Sequence, residues 1–229
     1  MSEVKRDSLH ARPDSFNFSD LISQPSIQDG IILDTVIMEP TKKYLEIRII
    51  LPKLIEKDSS DVYNQVKNLA KIIKRQFIES IEDTVKYDST IGLLQGYNMW
   101  IEPKSLYKTD KVLSFAIENG EGYGGMSSSF EFTMINLDRE KKKQIRLQDY
   151  FILKTSSDTA WFSDIVCKSL NWGKPDEVIK YLKFLGPVKF AFDEENIYFF
   201  FDRGELFAGG QIGSVKKKYI TDHIKEEYR

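Results

Sequence analysis

The sequence predicts an α+β fold, antiparallel sheet with about three helices packed on one face. Three observations carry that expectation. Short runs alternate apolar and polar residues with the two-residue period of half-buried strands. One long run repeats apolar residues at steps of three and four, the stripe of an amphipathic helix. Strands then follow strands, with helices inserted between groups, whereas a parallel α/β sheet would alternate the two.

Residues 1–28 are polar and lack periodicity, the pattern of a flexible N-terminal arm. The remainder divides into an N-terminal half, 29–118, and a C-terminal half, 119–229, which can close into one compact unit. "IILDTVIMEP" opens the strand pattern and "KKYLEIRIILP" continues it. In the latter Leu45, Ile47, Ile49 and Leu51 face one way, and Tyr44, Glu46 and Arg48 the other, as in a half-buried antiparallel strand.

A helix follows. Ser59 or Ser60 caps the free amides of its first turn, and Asp61 complements the positive end of its dipole. Val62, Val66, Leu69, Ile73, Phe77 and Ile81 form its apolar stripe; Lys67, Lys71, Lys74 and Arg75 form the polar side. Strands return over "TIGLLQGYNMWIEP", "KVLSFAIEN" and "SSFEFTMINL", then "QIRLQDYF" reads as a short strand ending in an aromatic anchor. A second helix is expected over 157–170, capped by Ser156 or Ser157, with Trp161, Ile165 and Leu170 inward. "KPDEVIKYLKFLG" reads as a third, with Pro175 in its first turn and Gly186 past its end. "PVKFAFD" and "NIYFFFD", joined at "DEEN", form a closing hairpin.

Composition narrows function. Lys and Arg number 33 against 35 Asp and Glu, so no basic excess is present to neutralise phosphates, and nucleic acid is not an expected partner. The basic runs Arg139–Gln144 and Val215–Tyr219 suit a solvated hairpin tip or a charged sheet edge. No run of 18 apolar residues exists, so no membrane-spanning helix is expected. Cys167 is the single cysteine, and Ile165 and Val166 beside it predict a buried thiol. The two histidines, His10 in the arm and His223 near the C-terminus, read as exposed, so a Ser-His-Asp or Cys-His site in the core is hard to assemble, and with one cysteine they are too few donors for an ordinary zinc site. Neither a metal nor a cofactor is expected.

Gly120, Gly122 and Gly125 have the G-x-G-x-x-G spacing of a phosphate cradle. That cradle requires a strand entering and a helix leaving. Here "SSFEFTMINL" leaves, and it has the residues of a strand, so the glycines mark a hairpin connection. Acid-base chemistry by carboxylate pairs stays open for Glu118 with Glu121 and for Asp202 with Glu205. Gly204, Gly209 and Gly210 imply an irregular backbone around the second pair.

The order of features resembles the paired domains of unknown function of bacterial envelope proteins. These include the extracellular region of the lysozyme-sensing anti-sigma factor RsiV and the N-terminal module of some peptidoglycan deacetylases. The residues carrying the resemblance are Tyr123-x-Gly125, "FTMINLD" with Asn136, Leu137 and Asp138, and "IRLQDYF" with Leu147, Asp149 and Phe151. After a helical insert come "VKFAFDEENIYFFFD" and "FAGG". Family members commonly carry a histidine after the glycines. Here Met126, Ser127 and Ser128 follow, so no role of that histidine carries over.

The resemblance implies an α+β sheet protein outside the cytoplasm that binds something at the envelope. The leading expectation is therefore a non-enzymatic, exported binding or sensing module that engages a protein or a cell-wall glycan. Tyr97, Trp100, Glu121, Tyr123, Met126, Ser127 and Ser128 are the candidate contact residues, because Tyr and Trp offer large contact area and serines adaptable hydrogen bonds. Alternatives are a carboxylate-dependent hydrolase of envelope glycan and a cytoplasmic structural or interaction protein. The start "MSEVKRDSLHARPDSFNFSD" has no apolar core and is not a secretory signal, so export requires a leader removed upstream.

Overall fold

The computed structural model describes residues 25–29, 33–38, 45–52, 60–87, 97–123, 129–171, 188–202 and 211–229. Most of the expected arm, the helix over 174–186 and the glycines at 204–210 lie outside these residues. The chain is already hydrogen-bonded at Ser26 and Gln28, which flank Leu106 like a short added strand.

Strands β1 (Leu33–Met38) and β2 (Leu45–Pro52) pair antiparallel. β2 buries Leu45, Ile47, Ile49 and Leu51 and exposes Glu46 and Arg48, as its two-residue period requires. Helix α1 (Ser60–Tyr87) then crosses over, and β3 (Tyr97–Lys108) returns parallel to β2, with Ile47 opposite Met99. A parallel neighbour needs such a crossover. The antiparallel expectation for β2 is thus corrected on one side: alternation reports which face is buried and says nothing of a partner's direction. α1 lays Ala70, Phe77 and Ile81, with Ile73 and Ile78 beside them, onto the apolar face of β2 and β3.

β4 (Val112–Tyr123) and β5 (Ser129–Asp138) form the hairpin expected around the glycines, and β6 (Lys143–Gln144) adds a short edge. The sheet runs β1-β2-β3-β4-β5-β6. The boundary expected at 118/119 falls inside β4, and the sheet continues across it. The basic run 139–142 is the turn between β5 and β6.

Where a strand was expected at "RLQDYF" the chain makes a helical turn, α2 (Leu147–Tyr150). The Asp149 carboxylate accepts the Arg146 amide at 3.0 Å and closes that turn. Helix α3 (Ser156–Ser169) is capped by Thr155, one residue before the expected serines. Asp158 donates its amide to Thr155 Oγ1 (3.1 Å), and its carboxylate accepts the Thr155 amide (2.8 Å), a reciprocal capping box. Phe162, Ile165, Val166 and Cys167 form its buried face, with Trp161 and Leu170 at the margin, so the expected thiol burial holds.

The second sheet is β7 (Lys189–Phe192), β8 (Asn196–Phe201) and β9 (Gln211–Lys216), antiparallel throughout. β8 is buried on both faces. Ile197, Phe199 and Phe201 meet α3, whereas Tyr198 and Phe200 meet Ala116 and Phe132 of the first sheet. β9 was not anticipated, because a glycine interrupts its pattern. A Cβ at Gly213 would lie 2.3 Å from Ser169 Oγ, so the glycine lets β9 approach the end of α3. The layers therefore run α1, six-stranded sheet, three-stranded sheet, α3.

A polar seam joins the sheets. Ser114 Oγ donates to Asn136 Oδ1 (2.7 Å), Asn136 Nδ2 donates to the Phe190 carbonyl (2.8 Å), and the Phe192 amide donates to Ser114 Oγ (2.8 Å). Two side chains of the first sheet thus satisfy the outward backbone of edge strand β7. In return Asp202, ion-paired to Lys189, accepts the Phe132 amide of β5 at 2.8 Å.

Three 3₁₀ turns end the chain. Tyr228 stacks on Tyr150, and Lys141 joins Glu227 (2.8 Å) to Asp138 (3.3 Å). His223, expected to be exposed, is instead half-buried and stacked on Trp161, centroids 3.5 Å apart at 11°. His10 lies outside the described residues.

Ser114→Ala and Asn136→Ala are each expected to cost about 1–3 kcal/mol in urea unfolding, because each leaves a buried β7 group unpaired. The double variant should cost less than the sum of the two, since both break one relay. Burial holds His223 below the ordinary histidine value, against the opposing pull of Asp158 and Asp222. The unfolded chain thus binds more protons than the native state between the folded pKa and about 6.5. Its contribution to stability is full above that value and is lost as pH falls through the folded one. Thermal melts between pH 7.5 and 5.5 should show a smaller decline for His223→Phe than for the natural protein.

Candidate functional site

Residues opposite one another on neighbouring strands share a face, so the register decides which predicted contact residues meet. Arg48 pairs with Trp100, Trp100 with Gly120, and Gly120 with Phe130, one row across four strands. Glu102, Glu118 and Phe132 form the next row on the same face. The second sheet covers this face farther along the strands, at Ser114, Ala116, Phe132 and Asn136. The Trp100 row is more open: Glu46 and Arg48 are exposed, and Trp100 and Phe130 are half-buried.

Trp100 is fixed in place. A Cβ at Gly120 would lie 2.1 Å from its Cζ2 and 2.2 Å from its Cε2, so the indole rests on the β4 backbone. Its Nε1 donates to Glu118 Oε1 at 2.7 Å. Asn98 occupies the equivalent space at Gly122, its Oδ1 2.2 Å from the position of an added Cβ. Two of the three glycines that imitate a phosphate cradle are therefore explained by the side chains lying over them. Gly125 is outside the described residues.

Polar contacts continue from the indole. Glu118 Oε2 lies 3.2 Å from Lys104 Nζ, which reaches Glu102 Oε1 at 2.7 Å. Burial alone would lower the Lys104 ammonium, but the two carboxylates outweigh it and hold it above its ordinary value. The result is a fixed Trp-Glu-Lys-Glu chain beside an aromatic platform. Phe130 meets Phe132 edge-on at 5.5 Å, and Phe132 leads into a cleft of about 920 Å³ between β5 and β7. Glu131, Arg146 and Lys189 stand among its apolar lining.

The predicted contact set is divided by the sheet. Tyr97 is 3% exposed and packs in the core beneath α1, on the face opposite Trp100. Glu121 stands opposite Met99 on that same α1 face. Tyr123 closes β4 opposite Tyr97. Met126, Ser127 and Ser128 lie outside the described residues. Arg48, Glu102, Lys104 and Phe130 were not anticipated. Strand parity could have found Glu102, two residues from Trp100 on β3; Arg48 and Phe130 join the row only through the register with β2 and β5, and Lys104 sits at a bulge.

Parity bears on the hydrolase alternative too. Glu118 and Glu121 are three residues apart on one strand and project to opposite faces, so they cannot flank one bond. Asp202 is held by Lys189 and the Phe132 amide, and Glu205 lies outside the described residues. Among the described residues no group of three His, Cys, Asp or Glu could hold a metal ion, and no helix is long and apolar enough to cross a membrane.

The fold and this face define an α+β protein of two packed sheets with an aromatic and charged surface on the larger one. No family model matches the chain, nor does any curated protein. Solved structures of DUF3298-family proteins are similar to it. One, from Bacteroides fragilis, has 15% identity and a TM-score of 0.49, over 86% of this chain and 94% of that one. Another, from Pseudomonas aeruginosa PAO1, has 14% identity and a TM-score of 0.49, over 87% and 97%.

Gly120→Ala should push the indole from its seat and break the bond to Glu118, at a cost of about 1–3 kcal/mol. In a Trp161→Phe/Trp172→Phe background, a shift of Trp100 emission checks this. Unchanged emission with unchanged stability would contradict the placement.

Proposed function

We propose that this chain is a non-catalytic binding module of the bacterial envelope that takes a cell-wall glycan across the Trp100 face. The observation that carries this reading is the half-buried indole seated over Gly120 and fixed by its bond to Glu118. A flat, pre-positioned ring offers an apolar surface to the C–H face of a sugar at little entropic cost. Arg48, Glu102 and Lys104 around it supply donors and acceptors for hydroxyl groups. β3 and β5 lie roughly 10 Å apart, two strand spacings. That span suits a short run of sugar rings, with the cleft beyond Phe132 receiving the next.

A glycan is favoured over a protein partner by the pattern of the face, in which the Trp100 and Phe130 rings alternate with the charged groups Arg48, Glu102, Lys104 and Glu118. A protein hot spot would present an apolar patch around them. The division of Glu118 from Glu121 supports binding over hydrolysis. Placement outside the cytoplasm is part of the proposal and rests on the sequence resemblance. Fractionation of the native host cell tests it: recovery in the cytoplasm alone would refute that part.

Soluble glycan released from cell walls by muramidase is the test ligand for calorimetry. Trp100→Ala is expected to weaken binding at least tenfold, about 1.4 kcal/mol or more, while the melting transition stays cooperative. Equal binding by the variant, or no binding of any wall glycan by the natural protein, would refute the glycan reading. Capture of a protease-sensitive wall component in its place would assign the face to a protein partner.

A further inference from the structure

The cleft of about 920 Å³ between β5 and β7 follows the edge of a strand. The consecutive residues Glu131, Phe132, Thr133 and Met134 all line it, although a strand sends alternate side chains to opposite faces. The surface they share is therefore the outer edge of β5. Hydrogen bonds on either side show which backbone groups point outward. The Phe132 amide donates to Asp202 (2.8 Å), and the Asn136 carbonyl accepts the Ile145 amide (2.7 Å). Met134 lies midway between them on a strand whose register with β4 has no break, so its N–H and C=O point the same way. No group among the described residues bonds them. β6 pairs only Leu137 and Asp138, and beyond Ile145 the chain turns away into α2.

A strand edge with free amide and carbonyl groups is a template for another backbone. This one is closed at both ends, by Asp202 at Phe132 and by Ile145 at Asn136. The distance along the strand between those stops is roughly 13 Å, room for about three extended residues. A strand of a folded partner would run past either stop, whereas a short peptide fits between them. Charge sets its direction. Glu131 stands at the Asp202 end and Arg146 at the β6 end; both are exposed, and neither has an ion-pair partner among the described residues. Lys189, the other cation of the lining, is taken by Asp202. The slot is thus complementary to an amine at one end and a carboxylate at the other.

We propose that this cleft binds the short peptide branch of a cell-wall glycan, an assignment that rests on the glycan reading of the Trp100 face and extends it. The peptide backbone supplies the acceptor and the donor that Met134 lacks. Its terminal carboxylate meets the Arg146 guanidinium, whose fork takes both oxygens at once, and its free amine meets Glu131. The route from the sugar seat is continuous. The row through Arg48, Trp100 and Gly120 ends on Phe130, which meets Phe132 of the cleft edge-on at 5.5 Å. A sugar seated at Phe130 therefore delivers its branch to the edge of β5.

The test compares three probes by calorimetry and amide NMR: muramidase-released wall glycan, the same glycan stripped of its peptides by an amidase, and the peptide so released. The peptide-bearing glycan is expected to bind about tenfold tighter than the stripped form. It should also slow hydrogen exchange at the Met134 amide, which the stripped form leaves unchanged. Arg146→Gln, at an exposed position safe for folding, should erase most of that advantage. Equal affinity of the two glycans, a full advantage in the variant, or unchanged Met134 exchange would each overturn the assignment while the glycan reading of Trp100 stands. Binding of the released peptide with no binding of stripped glycan would support the slot and refute the sugar seat. Binding of none of the three would refute both. An all-L peptide of the same charges that binds as tightly as the released one would give the cleft to a protein segment and overturn the wall assignment.

Discussion

The relay of Ser114, Asn136 and the β7 backbone is the interaction on which the rest of the structure depends. Backbone N–H and C=O groups at a buried edge must find partners, and here two side chains from another sheet provide them. Ser114 is fully buried and Asn136 nearly so. The relay therefore fixes where the second sheet lies on the first, and with it which part of the larger face is covered. Ala116, Phe132, Tyr198 and Phe200 fill the space this placement defines. The Trp100 row stays open because the seam sits at the other end of β4 and β5.

That division gives one strand two jobs. Along β4, Ser114 and Ala116 receive the second sheet, Glu118 anchors the indole, and Gly120 and Gly122 make room for Trp100 and Asn98. The alternate residues Leu113, Phe115 and Ile117 pack beneath α1. A glycine-rich stretch that imitates a nucleotide fingerprint is thus a record of cross-strand packing. The spacing of two residues between Gly120 and Gly122 is the period of a strand face.

Local periodicity made much of this legible in the sequence. The alternation of Leu45, Ile47, Ile49 and Leu51 and the stripe through Phe77 and Ile81 both report an inward face: the four strand residues and these two helix residues are buried, and Leu69 and Ile73 are half-buried. Partner identity was not legible, because it depends on residues far apart in the chain. Nothing local to β2 marks β3 as its parallel neighbour, and nothing local to Asn136 marks Phe190 as its acceptor. β9 was missed because Gly213 answers to α3 rather than to its own strand. The helical turn at 147–150 was missed because its closure lies in one carboxylate, Asp149, that a strand pattern ignores. Within the candidate site, Tyr97 and Trp100 were grouped by chemistry, although an odd spacing in a strand separates them.

The seam also governs what happens when the molecule comes apart. The part of β5 that β6 leaves unpaired and strand β7 are neighbouring edges, and Asp202, Asn136 and Ser114 occupy hydrogen-bonding positions through which such edges recruit foreign strands. Parting the two sheets bares both edges at once, together with the phenylalanines of β5 and β8 between them. Loosened forms of this protein therefore present a pair of sticky templates, and self-association, more than simple unravelling, is the fate that the paired sheets hold off.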